Sequence, residues 1–319
     1  MELFWCITLF VLGLIIIIFS GNWMVDNAVK ISRITGIPEV LIGATIIALA
    51  TTLPELNVTI FSSLDGVNEL AVGNAMGSII FNLTFIVGIV MLFTKNPITK
   101  ADLGSNFYIM FFSILFVYIL GITNSINRFT GMILLTIFLL FFINNIIDAN
   151  RKETVIEAYR LHVSKDKVGS LWKCIIFFCI SSFFVSMGAR LLVQNGENLA
   201  RLMNISEHII GVSIIAVGTS LPEVVTATAS IKHGSTGIAV GNTIGANIMS
   251  STLLLGVSAV MEPKGLVMHS NITTFAIPMI LLSSLILFLP ILFNRKIYKT
   301  QGVLLLIMFF AYYLVAVRF

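Results

Sequence analysis

The chain has 319 residues, of which 57% are hydrophobic and 11% charged, with a mean hydropathy of +1.02. Soluble globular chains carry roughly 25% charged residues, so this one has too few to coat a water-facing surface and enough apolar length for many bilayer crossings. Its net charge of +4 is scattered over short loops without forming a basic face, which gives nucleic acid nothing to bind.

A bilayer core about 30 Å thick needs around twenty apolar residues per helix. In chain order the predicted spans are 3–19, 39–63, 70–93, 107–123, 130–147, 171–193, 207–231, 237–261, 271–293 and 301–317. The first run, Leu3–Phe19, follows Glu2 rather than a basic stretch and has no small-residue cleavage site after it, so it reads as a helix and not a signal peptide. Polar breaks separate the spans at Asp26/Lys30/Arg33, Asp65–Glu69, Lys95–Asp102, Asn124–Arg128, Glu262/Lys264 and Asn294–Lys299. The longest polar stretch, around 148–170, divides the chain into five spans and five. Residues 1–148 form a first unit, 149–170 a linker and 171–319 a second unit.

The two units are copies. An offset of 168 positions aligns Gly43 with Gly211, Glu55 with Glu223, Gly73 with Gly241 and Gly77 with Gly245. Residues 43–92 and 211–260 share 18 identities in 50 positions without a gap. Chance likeness of apolar segments yields scattered Ile and Leu matches, not Thr-Xaa-Leu-Pro-Glu and Gly-Asn-Xaa-Xaa-Gly recurring at one fixed offset.

An odd number of crossings per unit makes the second enter the membrane from the opposite side. The expected fold is therefore an all-α membrane protein of about ten transmembrane helices in two inverted-topology five-helix repeats, an architecture typical of secondary transporters with a site near the midplane. With the N-terminus outside, only Arg128, Arg190, Arg201, Lys264 and Arg318 of the 19 basic residues fall outside. The positive-inside rule then puts both termini outside and the 148–170 loop in the cytoplasm of a prokaryotic plasma membrane.

The chemistry sits in the second and seventh spans. They read Gly43-Ala-Thr-Ile-Ile-Ala-Leu-Ala-Thr-Thr-Leu-Pro-Glu55 and Gly211-Val-Ser-Ile-Ile-Ala-Val-Gly-Thr-Ser-Leu-Pro-Glu223. A carboxylate near the middle of a membrane helix is expensive and marks an ion or proton site by default. Pro54 and Pro222 lack an amide hydrogen and release the carbonyl one turn back, and in hydrocarbon a released carbonyl needs a partner. Counting back four residues gives Ala50 and Gly218, with Ala48, Thr51, Ala216 and Thr219 on neighbouring turns. Thr51, Thr52, Thr219 and Ser220 add hydroxyl oxygens. Two facing copies build an all-oxygen cage with two negative charges, suited to a hard cation such as calcium or sodium. One Glu after a Pro also reads as a helix cap; two symmetric copies with apolar residues on both sides do not.

The Gly73-Asn-Ala-Met-Gly77 and Gly241-Asn-Thr-Ile-Gly245 blocks have small-residue spacing that lets helices pack closely. Polar residues follow them at helical spacing, Ser78 and Asn82 in one half and Asn247, Ser250 and Ser251 in the other, and are expected to line the site. His162, His208, His233 and His269 fall at predicted helix ends or loops, where they are solvated. Neither they nor the three cysteines, Cys6, Cys174 and Cys179, have metal-ligand spacing. Trp23 and Tyr298 read as interfacial anchors.

These blocks closely resemble the two alpha-repeats of the sodium/calcium exchangers in the calcium/cation antiporter superfamily, especially its compact prokaryotic members. The resemblance runs from Gly21-Asn-Trp23 through the Gly-Asn-Xaa-Xaa-Gly blocks of both halves. It implies a ten-helix fold in which helices two, three, seven and eight surround the ions, with alternating access by sliding of helices one and six. It also implies Glu55 and Glu223 as principal metal ligands. Thr51, Thr52, Thr219 and Ser220, with the Ala48 and Ala216 carbonyls, complete the shell, and Ser78 and Asn82 contribute from helix three. The chain departs from the exchanger pattern in helix eight, where Ala246 replaces a usual Ser and Ser250, a neutral donor, an acidic residue. Ala50 replaces a usual Gly.

The expected function is secondary antiport of a divalent cation, calcium first, against sodium or protons by alternating access, the protein working as a monomer without a cofactor. Another divalent metal is a variant of that reading. A cation channel is the competing class, but it favours a continuous polar path and oligomeric symmetry rather than an inverted repeat around one acidic pair. A membrane-embedded enzyme needs a nucleophile or base beyond two carboxylates, and no Ser/His, Cys/His or metal-His constellation is present.

Overall fold

The computed structural model describes residues 2–94, 105–123, 126–160, 170–203, 216–268, 271–293 and 296–316. Its helices are α1 (Glu2–Thr35), α2 (Glu39–Thr51), α3 (Leu53–Leu64), α4 (Asn68–Phe93), α5 (Asn106–Ile122), α6 (Arg128–Arg160), α7 (Leu171–Leu202), α8 (Ala216–Thr219), α9 (Leu221–Lys232), α10 (Thr236–Met261), α11 (Ile272–Leu292) and α12 (Lys299–Ala316). Among the described residues the β pairing is an isolated antiparallel bridge between Ile126 and Leu266.

Six of these helices are long and apolar enough to cross a membrane, and α2 with α3 make a further span bent by 45°. Asn106–Ile122 and Lys299–Val315 are shorter apolar helices. The seventh predicted span is described only from Ala216 onward; its start, with Gly211, lies outside the described residues.

Two boundaries differ from the hydropathy reading. The first helix does not stop at Phe19 but runs to Thr35, and the sixth passes Val193 to reach Leu202. Asp26 and Lys30, placed in a polar break by hydropathy, lie within α1 and pair one turn apart at 2.5 Å. Such i,i+4 pairs support a helix rather than ending it. Its stop is Gly36-Ile37-Pro38, where Gly36 takes φ +77°. Likewise α6 continues to Arg160, into the stretch expected as linker.

The repeat is visible element by element. α3 and α9 have 12 residues each, starting at Leu53 and Leu221. Both give way to a turn through a glycine of positive φ, Gly66 at +74° and Gly234 at +72°, a conformation that disfavours any Cβ. The first 14 residues of α4 and α10 then end in wide π turns at Asn82–Ile86 and Ser250–Leu254. Each π turn holds a threonine whose hydroxyl bonds back one turn, Thr84 to the Ile80 carbonyl and Thr252 to the Ile248 carbonyl, both at 2.5 Å.

α4 and α10 form the centre. In their most apolar windows 67% and 78% of the residues are buried, against 17% for α1. α2 packs along α10 so closely that a Cβ on Gly245 would lie 2.3 Å from the Ala44 carbonyl oxygen, and one on Gly241 would lie 2.2 Å from that of Val40. α8 packs on α4. The last helix of each half crosses to the other half, α6 onto α10 and α12 onto α4. α1 and α7 pair outside this core, α1 leaning on α9 and α7 on α2 and α3. Trp23 and Tyr298 are both exposed, Trp23 against Phe177.

Candidate cation site

The site is made by two breaks in the chain. α2 ends at Thr51 and α3 restarts at Leu53 with Pro54 in its first turn; α8 ends at Thr219 and α9 restarts at Leu221 with Pro222 in the same position. Proline fits a helix start, where its missing N–H has no intrahelical role. Each break therefore puts a carboxylate, Glu55 or Glu223, in the first turn of a half-helix. There the positive end of the helix dipole favours negative charge.

Both carboxylates are 1% exposed, and they lie close enough to repel each other. The Ser220 hydroxyl, from the opposite half, is 3.2 Å from Glu55 Oε1 and also 3.2 Å from Ser78 Oγ. Thr51 and Thr52 face the Glu223 carboxylate, yet no hydrogen bond closes on either of its oxygens. Among the residues expected at the site, six buried oxygens have no partner: Glu55 Oε2, Glu223 Oε1 and Oε2, Thr52 Oγ1, Asn82 Oδ1 and Asn247 Oδ1. Leaving a buried acceptor unsatisfied costs about 1–3 kcal/mol, more when it is charged. A cluster of them with two carboxylates is suited to positive charge.

The π turns pack across the halves. The turn opened by Asn82 packs on α9, which carries Glu223, and the turn opened by Ser250 packs on α3, which carries Glu55. π turns inside helices are frequent at functional sites. Ser78, Ala48 and Ser250 are all buried. The Ala48 carbonyl already accepts the Thr52 N–H at 2.9 Å and lies 3.3 Å from the Thr51 hydroxyl. Ala216 opens α8, and its side chain lies outside the described residues, as do His162, His208 and His269. His233 is exposed at the end of α9.

Two residues expected at the site also reach a neighbouring helix. The Asn247 amide nitrogen lies 3.8 Å from Met110 Sδ while its Oδ1 has no partner, and the Ser251 hydroxyl meets that of Ser113 at 2.9 Å, so both touch α5. Their helical spacing from Gly245 puts them on the neighbouring face of α10. Two residues that the motif pattern alone does not single out stand in the cage wall. Asn242 Oδ1 is 3.2 Å from the Thr51 hydroxyl and Asn74 Oδ1 is 3.4 Å from the Thr219 hydroxyl, each bond crossing between halves. The signal was present, since both are the Asn of a Gly-Asn-Xaa-Xaa-Gly block 168 residues apart. Among the described residues no group of three or more His, Cys, Asp or Glu assembles, so the cage holds two carboxylates.

Comparison with known proteins agrees with this geometry. The sodium/calcium exchanger protein family matches residues 5–147 and 173–318. The inner membrane protein YrbG of Escherichia coli K12 is 32% identical over 258 residues, covering 80% of this chain and 79% of that protein. The sodium/calcium exchanger MaX1 of Methanosarcina acetivorans is 27% identical over 338 residues, covering 95% and 96%. A solved structure of the sodium-calcium exchanger NCX_Mj, soaked with 2.5 mM Na+ and 10 mM Sr2+, superposes with a TM-score of 0.82 at 25% identity, covering 99% of each chain. With its paired half-helices and their buried glutamates, this chain belongs to the sodium/calcium exchanger family of cation antiporters.

Proposed function

We propose that the protein exchanges calcium for sodium across a prokaryotic plasma membrane by alternating access, as a monomer of ten spanning helices in two inverted repeats. The observation that carries this reading is the pair of buried carboxylates, Glu55 and Glu223, held face to face with oxygens that no protein group satisfies. Two such charges are tolerable in low dielectric only when compensated. One Ca2+ or two Na+ compensates them fully, and this equivalence is the basis of exchange. Glu55 and Glu223 supply the charge. Thr51, Thr52, Thr219 and Ser220, the Ala48 and Ala216 carbonyls, Ser78, Asn82 and Ser250 supply neutral oxygens. Element-by-element repetition at an offset of 168 residues supports the inverted repeat, and the Lys/Arg bias supports termini outside with a cytoplasmic 148–170 loop.

The test is calcium uptake into proteoliposomes under imposed sodium and proton gradients, applied separately. Uptake driven by an outward sodium gradient and absent without a counter-ion is expected. Uptake that needs no trans ion would identify a channel. Uptake driven by protons alone would replace sodium as the coupling ion.

A further inference from the structure

Asn242 is fully buried, and its hydrogen bonds orient its amide. The Thr226 hydroxyl has one proton, which it donates to the Glu223 carbonyl oxygen at 3.0 Å, so towards Asn242 it can only accept. The group 2.9 Å from Thr226 Oγ1 is therefore the Nδ2 donor, and Oδ1 faces Thr51 at 3.2 Å. Asn74 is pinned in the same way: its Nδ2 donates to the Glu55 carbonyl at 3.1 Å, a group that only accepts, and this turns Oδ1 towards Thr219.

The consequence lies in one hydroxyl proton. Thr51 has two acceptors within 3.5 Å, Asn242 Oδ1 at 3.2 Å and the Ala48 carbonyl at 3.3 Å, while the Glu223 carboxylate, which it also faces from inside the cage, closes no bond with it. The Ala48 carbonyl has two lone pairs, and the Thr52 N–H at 2.9 Å occupies one. With the Thr51 proton on Ala48, both lone pairs of that carbonyl are filled. With the proton on Asn242, the Ala48 carbonyl keeps a free lone pair and Thr51 Oγ1 turns its own lone pairs away from Asn242.

We propose that Asn242 and Asn74 are positioning residues: each draws the hydroxyl proton of the opposite half's threonine out of the cage, and at Thr51 this keeps the threonine oxygen and the Ala48 carbonyl open to the cargo cation. The two residues touch no ion. They act through Thr51 and Thr219, and because each also braces the backbone at its own half's glutamate, they tie the oxygen count of one half to the carboxylate of the other. This inference rests on the cation cage proposed above.

A double-mutant cycle on the purified full chain tests it, read as the dissociation constant for calcium-45 in equilibrium dialysis, with melting temperature recorded alongside. Asn242→Leu keeps the branching at Cγ, with a larger side chain, and removes both amide functions; Thr51→Val removes the proton to be steered. Asn242→Leu is expected to weaken calcium binding by roughly tenfold in the native background and by no more than about threefold in the Thr51→Val background, the coupling expected of directly interacting groups. A purely structural asparagine would lower the melting temperature and cost the same affinity in both backgrounds, and that result overturns the proposal. If the leucine variant fails to fold, the mirrored cycle, Asn74→Ala with Thr219→Val, decides the matter by the same two outcomes. Unmodified protein that binds no calcium would overturn the antiport reading and this inference together, whereas normal binding with uncoupled variants overturns the asparagine role alone.

Discussion

At the scale of single residues, the site is decided by what is left unpaired. A charged side chain at the bilayer centre costs about 2.5–3.5 kcal/mol on insertion scales, and here two share one buried space with three of their four carboxylate oxygens lacking a hydrogen bond. Such an arrangement is unfavourable without a cation and favourable with one. Glu55→Gln and Glu223→Gln should therefore each lower calcium uptake by proteoliposomes by at least about tenfold, the effect of roughly 1.4 kcal/mol, because each halves the cage charge. The fold should not suffer: without cations each variant should melt at or above the wild-type temperature, since one of two repelling charges is gone. Calcium should raise the melting temperature of the wild type by mass action and leave those of the variants nearly unchanged. Near-normal uptake by either variant would remove Glu55 and Glu223 from the cargo site.

At the scale of elements, the sequence reveals composition and repetition more readily than it reveals where backbones turn. The carboxylates, their flanking prolines and the hydroxyls beside them were legible because they recur at one offset. The π turns at Asn82 and Ser250 were not, because a π turn has no composition of its own and arises from how a helix packs. The ends of α1 and α7 were misplaced because hydropathy measures lipid contact, while a helix stops only where the backbone is broken, as at Gly36-Ile37-Pro38. Asn74 and Asn242 were visible as letters, but their partners belong to the opposite half and no local pattern names them. Loop ties are similarly hidden. Glu262, just beyond α10, accepts the Lys264 backbone N–H at 3.0 Å and the side-chain amide of Asn68 at the start of α4. These bonds, with the nearby Lys264 and Arg128 charges, hold its carboxyl below the usual carboxylate range. A carboxyl depressed in the folded state stabilises the fold fully above its unfolded pKa and loses that contribution as pH falls through its folded pKa. The melting-temperature advantage of wild type over Glu262→Gln should thus be present at neutral pH and should shrink once the pH drops below about 4. A gap that stays constant down to strongly acidic pH would show that the ionised carboxyl does not make the tie.

At the scale of the whole molecule, the measurable consequences are orientation and charge balance. In the proposed topology the 148–170 loop is cytoplasmic, so a cysteine placed at Ser164, with Cys6, Cys174 and Cys179 replaced by Ser, should resist an impermeant thiol reagent applied to intact cells and react after permeabilisation. Labelling in intact cells would reverse the topology. Charge balance follows from the cage. Glu55 and Glu223 are its carboxylates, and where related exchangers are expected to carry a third acidic ligand this chain has Ser250, with Ala246 one turn earlier. A cage of charge −2 is neutral with one Ca2+ and neutral with two Na+, whereas a third Na+ would stand uncompensated in low dielectric, which is costly. The exchange should then move no net charge. Moving one elementary charge across 100 mV is worth about 2.3 kcal/mol, so a three-sodium exchanger shifts its limiting calcium gradient about fiftyfold over that range. This protein's gradient should hold nearly constant when potassium and valinomycin set the vesicle potential. Restoring the missing oxygens with Ser250→Asp and Ala246→Ser should steepen both the sodium dependence and the response to voltage. Strongly voltage-dependent, sodium-driven calcium uptake by the unmodified chain would mean that neutral donors such as Asn82 hold a third sodium without a third carboxylate, and the two-charge argument would fall.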